Sequence, residues 1–150
     1  MTAVPALSLP MTGDQIFDTA QLAGTPYVLY FYPKDNTPGC TTEGGDFRDH
    51  HAAFLAAGTQ VFGASRDSLK SHENFKAKMA FPFELVSDPE EQLCEAFGVM
   101  KMKNMYGKQV RGIERSTFVV DGKGQIVKEW RGVKVPGHVS DVLAFVQTMK

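Results

Sequence analysis

The segment Pro38–Glu43 (PGCTTE) contains Cys40, the side chain with the clearest chemical potential in the chain. Thr37 is a residue type that favours the N-cap of a helix, and proline is favoured at the first helical position, where its missing N–H costs nothing. Cys40 is therefore predicted to lie in the first turn of a helix. Free backbone N–H groups and the positive end of the helix dipole stabilise a thiolate there, which makes a cysteine reactive. The alternative is an inert buried thiol, the usual state of a free cysteine.

The elements on either side of this segment would hold Cys40 at the end of a buried strand. Tyr27–Tyr32 is apolar on both faces, which is typical of a central, parallel strand covered on both sides. Pro33 begins a polar loop, and a helix is predicted from Thr37 to about Ala57. Bulky and small residues recur along that helix at three- and four-residue steps, so Cys40 is expected on its inward face.

Gly44 and Gly45 stand one turn after Cys40. Two glycines inside a helix cost roughly 2 kcal/mol relative to alanine. Two explanations are open at this point. Either a neighbouring element packs so closely that side chains are excluded, or the first turns of the helix must unwind during function.

The rest of the chain alternates between strand and helix patterns. In order, it predicts a hairpin within Ala6–Leu22, a strand at Thr59–Ala64, a helix carrying Leu69, Phe75 and Met79 inward, a strand at Pro82–Val86, a short helix from Ser87-Asp88-Pro89 to Gly98, a basic Met-rich loop at Met100–Gly112, a hairpin at Thr117–Trp130 and a helix at His138–Met149. This order predicts a thioredoxin-like, three-layer α/β sandwich with a mixed central β-sheet flanked by helices and an N-terminal β-hairpin. The C-x-x-C motif of thioredoxin itself is absent, because Cys40 is followed by Thr41-Thr42-Glu43.

Composition limits the class of protein. A chain of 150 residues fits one domain, spanning residues 1–150, and an apolar content of 43% with 22% charged residues is typical of a globular protein. A net charge of −1 argues against nucleic acid or an anionic membrane as the main partner. The apolar runs are too short to span a bilayer, and the N-terminus lacks the pattern of a secretory signal. We therefore expect a cytoplasmic location, where a reactive thiol stays reduced.

Five segments of the chain carry a resemblance to a known family. They are YFYPKDNTPGCTTE (Tyr30–Glu43), DFRD (Asp46–Asp49), VFGASRDS (Val61–Ser68), LVSDPEEQLCEAFGV (Leu85–Val99) and GIERSTFVVDGKG (Gly112–Gly124). In these segments, and over nearly its whole length, the chain resembles the peroxiredoxins, and within them the bacterioferritin comigratory protein or peroxiredoxin Q subgroup. The first segment is highly specific, and the others agree in order and spacing.

The resemblance implies a thiol-dependent peroxidase that reduces hydrogen peroxide and organic hydroperoxides to water and alcohols. The peroxidatic cysteine of the family falls on Cys40, and its proline, threonine and arginine fall on Pro33, Thr37 and Arg115. Cys40 would attack one peroxide oxygen and become a sulfenic acid. Arg115 would stabilise the thiolate and the transition state, Thr37 would hydrogen-bond the sulfur or the peroxide, and Pro33 would shape the pocket. Taken singly, Arg115 is better explained as a surface ion pair and Thr37 as a plain helix cap, and only the whole set favours the catalytic roles.

The chain departs from the subgroup at the resolving cysteine. Many members carry it five residues after the first cysteine, where this chain has Gly45, and others place it on the next helix, where Leu69–Met79 has none. Cys94 is predicted to be a packed core thiol, with a resolving role as the alternative. The departure favours a one-cysteine cycle, in which thioredoxin, glutaredoxin or glutathione reduces the Cys40 sulfenic acid. A redox sensor switched by Cys40 oxidation is the alternative from another functional class.

Other ligands have little support in the sequence. His50, His51, His72 and His138 show no metal-ligand spacing, and no glycine-rich phosphate loop follows the first long strand, so we expect neither a metal nor a cofactor. The lysines and the arginine of Met100–Gly112 are expected to be solvated, although they could steer an acidic reductase. We expect a monomer or a weak homodimer.

Overall fold

The computed structural model describes residues 2–149, which form ten strands and four helices. In chain order these are β1 (Thr2–Ala3), β2 (Ser8–Met11), β3 (Gln15–Asp18), β4 (Tyr27–Phe31), α1 (Pro38–Ala56), β5 (Gln60–Ser65), α2 (Leu69–Met79), β6 (Glu84–Ser87), α3 (Gln92–Phe97), β7 (Met100–Met105), β8 (Lys108–Ile113), β9 (Ser116–Val120), β10 (Gln125–Arg131) and α4 (His138–Gln147). Eight of the strands form one sheet in the order β1-β10-β9-β4-β5-β6-β2-β3, and β7 and β8 form a separate hairpin. No helix formed by the described residues is both long and apolar enough to cross a membrane.

The strand that leads to Cys40 lies in the middle of the large sheet. All five residues of β4 are buried, as the continuous apolar run predicts. β4 pairs in parallel with β5 but antiparallel with β9, so the sheet is mixed. The expected N-terminal hairpin is confirmed as β2 and β3, which sit at one edge of the sheet.

Two hydrophobic cores cover the two faces of this sheet. Alternate residues of β4 belong to different cores, since Val28 and Tyr30 pack in one and Leu29 and Phe31 in the other. The first core contains buried residues of α1, α2 and α4, and the second contains those of α3 and of the β2–β3 hairpin. The three-layer, thioredoxin-like α/β sandwich with a mixed central sheet is therefore confirmed.

Two local predictions were wrong. The helix expected from Pro89 begins at Gln92, because Glu91 adopts a left-handed conformation with φ of 64° and the Asp88 carboxylate accepts the backbone N–H of Cys94 at 2.8 Å. The expected loop at Met100–Gly112 is the β7–β8 hairpin. Its turn uses two residues with positive φ, Tyr106 at 54° and Gly107 at 79°, which suits the twist of a two-residue hairpin.

Candidate active site

The local sequence places Cys40 in the first turn of α1. Thr37 is the N-cap, with the extended conformation expected there, and Pro38 is the first helical residue. The predicted position of Thr37 is thus confirmed, but its hydroxyl does not cap the helix. The hydroxyl instead donates a hydrogen bond to the Lys34 carbonyl at 2.8 Å, which closes the turn before the helix. The first helical bond runs from the Thr41 N–H to the Thr37 carbonyl at 2.8 Å.

Cys40 faces inward and is 2% exposed. Its sulfur lies 3.4 Å from Nη2 of Arg115, which comes from the segment just before β9, 75 residues further along the chain. A fixed cation and the start of a helix therefore act on the same sulfur atom. Both favour the thiolate, because the guanidinium stays charged and the helix dipole is positive at this end.

Gly39 allows the guanidinium to reach the sulfur. A Cβ atom built on Gly39 would lie 2.9 Å from Arg115 Nη2, closer than real Cβ atoms approach other heavy atoms. Any side chain at this position would push Arg115 away from Cys40. The sequence alone gave no reason for a glycine here, because the atom that excludes a side chain belongs to a distant residue.

Glu43 holds the other end of the same guanidinium. Its Oε1 accepts a hydrogen bond from Arg115 Nη1 at 2.7 Å, and its side chain is completely buried. Burial raises the pKa of Glu43 to about 7, although the charge and the hydrogen bond of Arg115 oppose this rise. Sequence reasoning gave Glu43 no role. The available signal was its spacing, since residues three apart on a helix lie on one face and Glu43 follows Cys40 by that interval.

Lys103 adds positive charge to the same region. It lies on β7, and its ammonium group donates a hydrogen bond to the Ile113 carbonyl. Burial lowers the pKa of Lys103, and the nearby charge of Arg115 lowers it further. The side chain was expected to be solvated, but it turns back toward the site. By contrast, Arg111 pairs with Glu91 at 2.6 Å on the surface.

Pro33 occupies the end of the strand that leads into the site. One residue, Tyr32, separates Pro33 from the end of β4, and the Pro33 side chain is half-buried. The structure brings Cys40 and Arg115 together by direct contact, and Glu43 joins them through its ion pair with Arg115. Thr37 precedes Cys40 at the helix start, where its hydroxyl binds the Lys34 carbonyl, and Pro33 follows the end of the strand.

The comparison with protein families matches residues 1–129 to the model described as the AhpC/TSA family. The chain belongs to the AhpC/TSA family. Peroxiredoxin Bcp of Xanthomonas campestris is 56% identical over 138 residues, which cover 92% of this chain and 86% of that protein. Peroxiredoxin Bcp of Bacillus subtilis is 47% identical over 146 residues, which cover 97% and 91% of the two chains.

Solved structures agree with this assignment. One of them is the Xanthomonas campestris bacterioferritin comigratory protein, studied for its alkyl peroxide reduction activity. It matches with a TM-score of 0.91 at 54% identity and covers 95% of this chain and 90% of its own. Peroxiredoxins are thiol-dependent peroxidases, and this AhpC/TSA family member is therefore an enzyme that reduces peroxides with electrons from thiols.

The second cysteine of this peroxiredoxin lies apart from the site. Cys94 is on α3, in the core on the opposite face of the sheet from Cys40, and both thiols are free. Burial raises the pKa of the Cys94 thiol, and a hydrogen bond to Asp88 raises it further. Such a thiol stays protonated and lacks the nucleophilicity that disulfide exchange needs. The geometry supports the packed core thiol and not the resolving role.

The two glycines of α1 differ in their surroundings. A Cβ atom on Gly44 would lie 2.4 Å from Cζ of Phe81, a buried ring that stacks on Phe83 at 4.9 Å. On Gly45, the nearest atoms would be the ends of two flexible side chains, at 3.7 Å and 3.9 Å, which is ordinary contact. Close packing therefore explains Gly44. It does not explain Gly45.

Proposed function

We propose that Cys40 is the peroxidatic cysteine, that Arg115, Thr37 and Pro33 complete its site, and that the enzyme uses a one-cysteine cycle. The observation that carries this proposal is the 3.4 Å contact between Cys40 Sγ and Arg115 Nη2 at a helix start. The contact supplies a charge-stabilising donor beside the nucleophile, which is what peroxide reduction requires.

The first half of the cycle follows from this contact. The Cys40 thiolate attacks one oxygen of the peroxide, an S–O bond forms and the O–O bond breaks. The other oxygen leaves with the electron pair, takes a proton and departs as water or an alcohol, and Cys40 becomes a sulfenic acid. Negative charge moves from sulfur to the leaving oxygen during this step. Arg115 can interact with both the sulfur and the leaving oxygen, so it stabilises the transition state as well as the thiolate.

The second half of the cycle needs a thiol from outside the chain. An external thiolate attacks the Cys40 sulfur, the S–O bond breaks, and the hydroxide that leaves takes a proton to become water, so a mixed disulfide forms. A second donor thiolate then attacks the donor sulfur of this disulfide, which releases the Cys40 thiolate and joins the two donor sulfurs in a disulfide. Glutathione, glutaredoxin and thioredoxin each supply such a thiol. The position of Cys94 across the sheet supports this cycle over one with an internal disulfide.

The setting of the enzyme follows from the same chemistry. We propose that it works in the cytoplasm, where thiol reductants are abundant. We also propose a monomer or a weak homodimer. In the described part of the chain, the large apolar side chains that are exposed lie scattered over the β2–β3 hairpin, α1 and the β7–β8 hairpin.

Two variants and one mass measurement test this proposal. Cys40→Ser should abolish peroxidase activity, while Cys94→Ser should keep most of it with a small-thiol donor. After one equivalent of peroxide, the intact wild-type mass should gain one oxygen atom. Comparable activity losses in the two variants, or a mass lower by two hydrogens from a Cys40–Cys94 disulfide, would establish the two-cysteine cycle instead.

A further inference from the structure

A buried polar network lies directly behind the turn that leads into α1. Its centre is the Asp35 carboxylate, whose side chain is 2% exposed. Oδ1 of Asp35 accepts a hydrogen bond from the Tyr32 hydroxyl at 2.6 Å, and Oδ2 accepts from the Ser71 hydroxyl at 2.8 Å. The Asp35 backbone N–H donates to the Asp67 carboxylate at 2.7 Å. The partners of Asp35 thus come from its own loop, from the loop before α2 and from α2 itself.

His72 of α2 completes the network, and its ring has no solvent exposure. Nδ1 lies 2.7 Å from Asp35 Oδ2, and Nε2 lies 2.9 Å from the carbonyl oxygen of Val86. Each ring nitrogen thus lies at hydrogen-bond distance from an oxygen, a carboxylate oxygen on one side and a backbone carbonyl oxygen on the other. His72 and Asp35 therefore form a buried hydrogen-bonded pair, which is an ion pair when the ring is protonated. Burial alone would raise the pKa of Asp35, but its hydrogen bonds, first that from His72, bring it below the ordinary value.

This network fixes an unusual backbone conformation. Asn36, the next residue, has a φ of 62°, in the left-handed region that non-glycine residues rarely adopt. Lys78 donates a hydrogen bond to the Asn36 side-chain oxygen at 3.2 Å. Three side chains of α2, those of Ser71, His72 and Lys78, thus hold the two residues at the bend. α1 starts immediately after it, at the Thr37 N-cap.

We propose that the His72–Asp35 pair is a positioning device for the active site, which fixes the turn at 34–37 so that the first turn of α1 presents Cys40 to Arg115. This inference rests on the proposed role of Cys40. In this proposal α2 contributes no residue to the site, but its side chains set the direction in which α1 begins.

Neither a metal ion nor simple stability explains the pair as well. Potential ligand atoms of Asp35, Asp67 and His72 lie within 4.8 Å of one another, but the hydrogen bonds within the group already use them. A buried ion pair is often no more stabilising than apolar residues of the same volume. Apolar residues, however, could not satisfy the hydrogen-bonding groups of the bend, and the direction of the chain would then be poorly defined.

His72→Asn and Asp35→Ala test the proposal, with Phe118→Leu as the control. Phe118 is buried in the core on the other face of the sheet, so its variant lowers stability without touching the turn. Two reactions of Cys40 are compared in single turnover: that with peroxide, which needs both the thiolate and an aligned Arg115 in the transition state, and that with iodoacetamide, which needs only an accessible thiolate. We expect the two test variants to lose at least tenfold in the peroxide rate, since small misplacements of reacting groups are costly. Their alkylation rate should fall by less than threefold or rise, because greater access to the buried thiol offsets a smaller thiolate fraction.

Amide hydrogen exchange gives a second, local measure. The N–H groups of Cys40 and Thr41 should exchange faster in the test variants, and not in Phe118→Leu at an equal loss of unfolding free energy. If His72→Asn does not fold, Ser71→Ala, which removes one partly buried hydroxyl, should show the same changes at two- to fivefold. Peroxide rates within twofold of wild type in the folded test variants, or an equal loss in Phe118→Leu, would overturn the proposal. Activity retained in Cys40→Ser would instead refute the proposed function.

Discussion

At the scale of single residues, the site depends on one guanidinium shared between two groups. One terminal nitrogen of Arg115 faces the sulfur of Cys40 and the other binds Glu43. We expect Arg115→Ala to slow the peroxide step by around a hundredfold or more, which is the scale for removing a charge-stabilising donor. Stopped-flow measurement of the second-order rate constant in a single turnover tests this value.

Arg115→Lys is the matched control for that variant. It keeps the positive charge, but a single ammonium group cannot bind the carboxylate and face the sulfur with the paired geometry of a guanidinium. Its rate should fall between those of wild type and Arg115→Ala. A wild-type rate in Arg115→Ala would exclude Arg115 from the peroxide step.

Glu43 predicts a pH dependence of stability whose sign is unusual for a carboxylate. Its pKa is about 7 in the folded protein, against an ordinary value of 4.5, so the folded state holds a proton that the unfolded chain has released. Its contribution to stability is complete below about pH 4.5 and is lost as the pH rises through 7. Wild type should therefore lose on the order of 2 to 3 kcal/mol of unfolding free energy across this range from Glu43 alone.

Glu43→Gln should remove that slope, because the amide does not titrate. Urea unfolding of both proteins at pH 5, 6, 7 and 8 gives the comparison. As the pH rises, the free energy of unfolding of Glu43→Gln should increase relative to that of wild type. Parallel curves would mean that Glu43 ionises equally easily in the folded and the unfolded chain.

Some of these residues could be predicted from the sequence and others could not. Cys40 and Thr37 belong to one local pattern, in which a helix start can be recognised from neighbouring residues. Arg115 was found through resemblance, because nothing in its own surroundings distinguishes it from a surface arginine. Gly39 and the ion pair of Glu43 depend on Arg115, which comes from a segment distant in sequence, so the only local signal was the three-residue spacing that places Glu43 on the same helix face as Cys40.

At the scale of elements, the proposed one-cysteine cycle requires α1 to be both a stable helix and one that can open. In that cycle an external thiol must reach the sulfenic acid of Cys40, a side chain that is 2% exposed. A glycine weakens a helix by about 0.8–1.0 kcal/mol relative to alanine, and Gly45 has room for a methyl group. We therefore expect Gly45→Ala to leave the peroxide step nearly intact, to slow reduction by the donor thiol several-fold and to increase sulfinic acid formation.

Gly44→Ala is the contrasting variant one residue away. Its methyl group would displace the buried ring of Phe81, so it should lower the free energy of unfolding instead of stabilising α1. Single-turnover kinetics with mass spectrometry, together with urea unfolding, separates the two effects. Wild-type donor reduction and wild-type overoxidation in a stabilised Gly45→Ala protein would show that opening does not depend on this glycine.

The elements that the sequence predicts well are those with a clear pattern of apolar residues. The apolar run of β4 and the apolar stripe of α4 are recognisable because burial repeats along them. The β7–β8 hairpin resembles a loop in sequence because its residues are mostly exposed and rich in lysine, and because Tyr106 is an unusual residue for a left-handed turn. The late start of α3 depends on the Asp88 side chain, which binds the backbone of Cys94.

At the scale of the whole molecule, stability should depend on pH through a second buried group. His138 lies at the start of α4, where its Nε2 is 2.8 Å from the Thr117 hydroxyl. Burial lowers the pKa of His138 to about 4 from an ordinary value of 6.5. Between these values the unfolded chain binds a proton that the folded protein excludes, so the free energy of unfolding should fall as the pH drops from about 6.5 to 4. The loss is on the order of 2 to 3 kcal/mol.

His138→Gln should remove the fall in the free energy of unfolding between pH 6.5 and 4. The fall at higher pH, which Glu43 causes, should remain. Thermal unfolding between pH 4 and 7, compared with wild type at each pH, isolates the histidine from the carboxylates that titrate in the same range. If the difference between the two proteins stays constant with pH, His138 does not carry the acid sensitivity.

The burial of Cys94 also gives the molecule an internal reporter of unfolding. In a Cys40→Ser background, the remaining thiol is completely covered by the core on one face of the sheet, so a reagent reaches it only when that core opens. The rate of its modification by a fast thiol reagent then measures the population of opened molecules. Each variant discussed above could be ranked in stability this way in native buffer, without denaturant, from the time course of a single mass change.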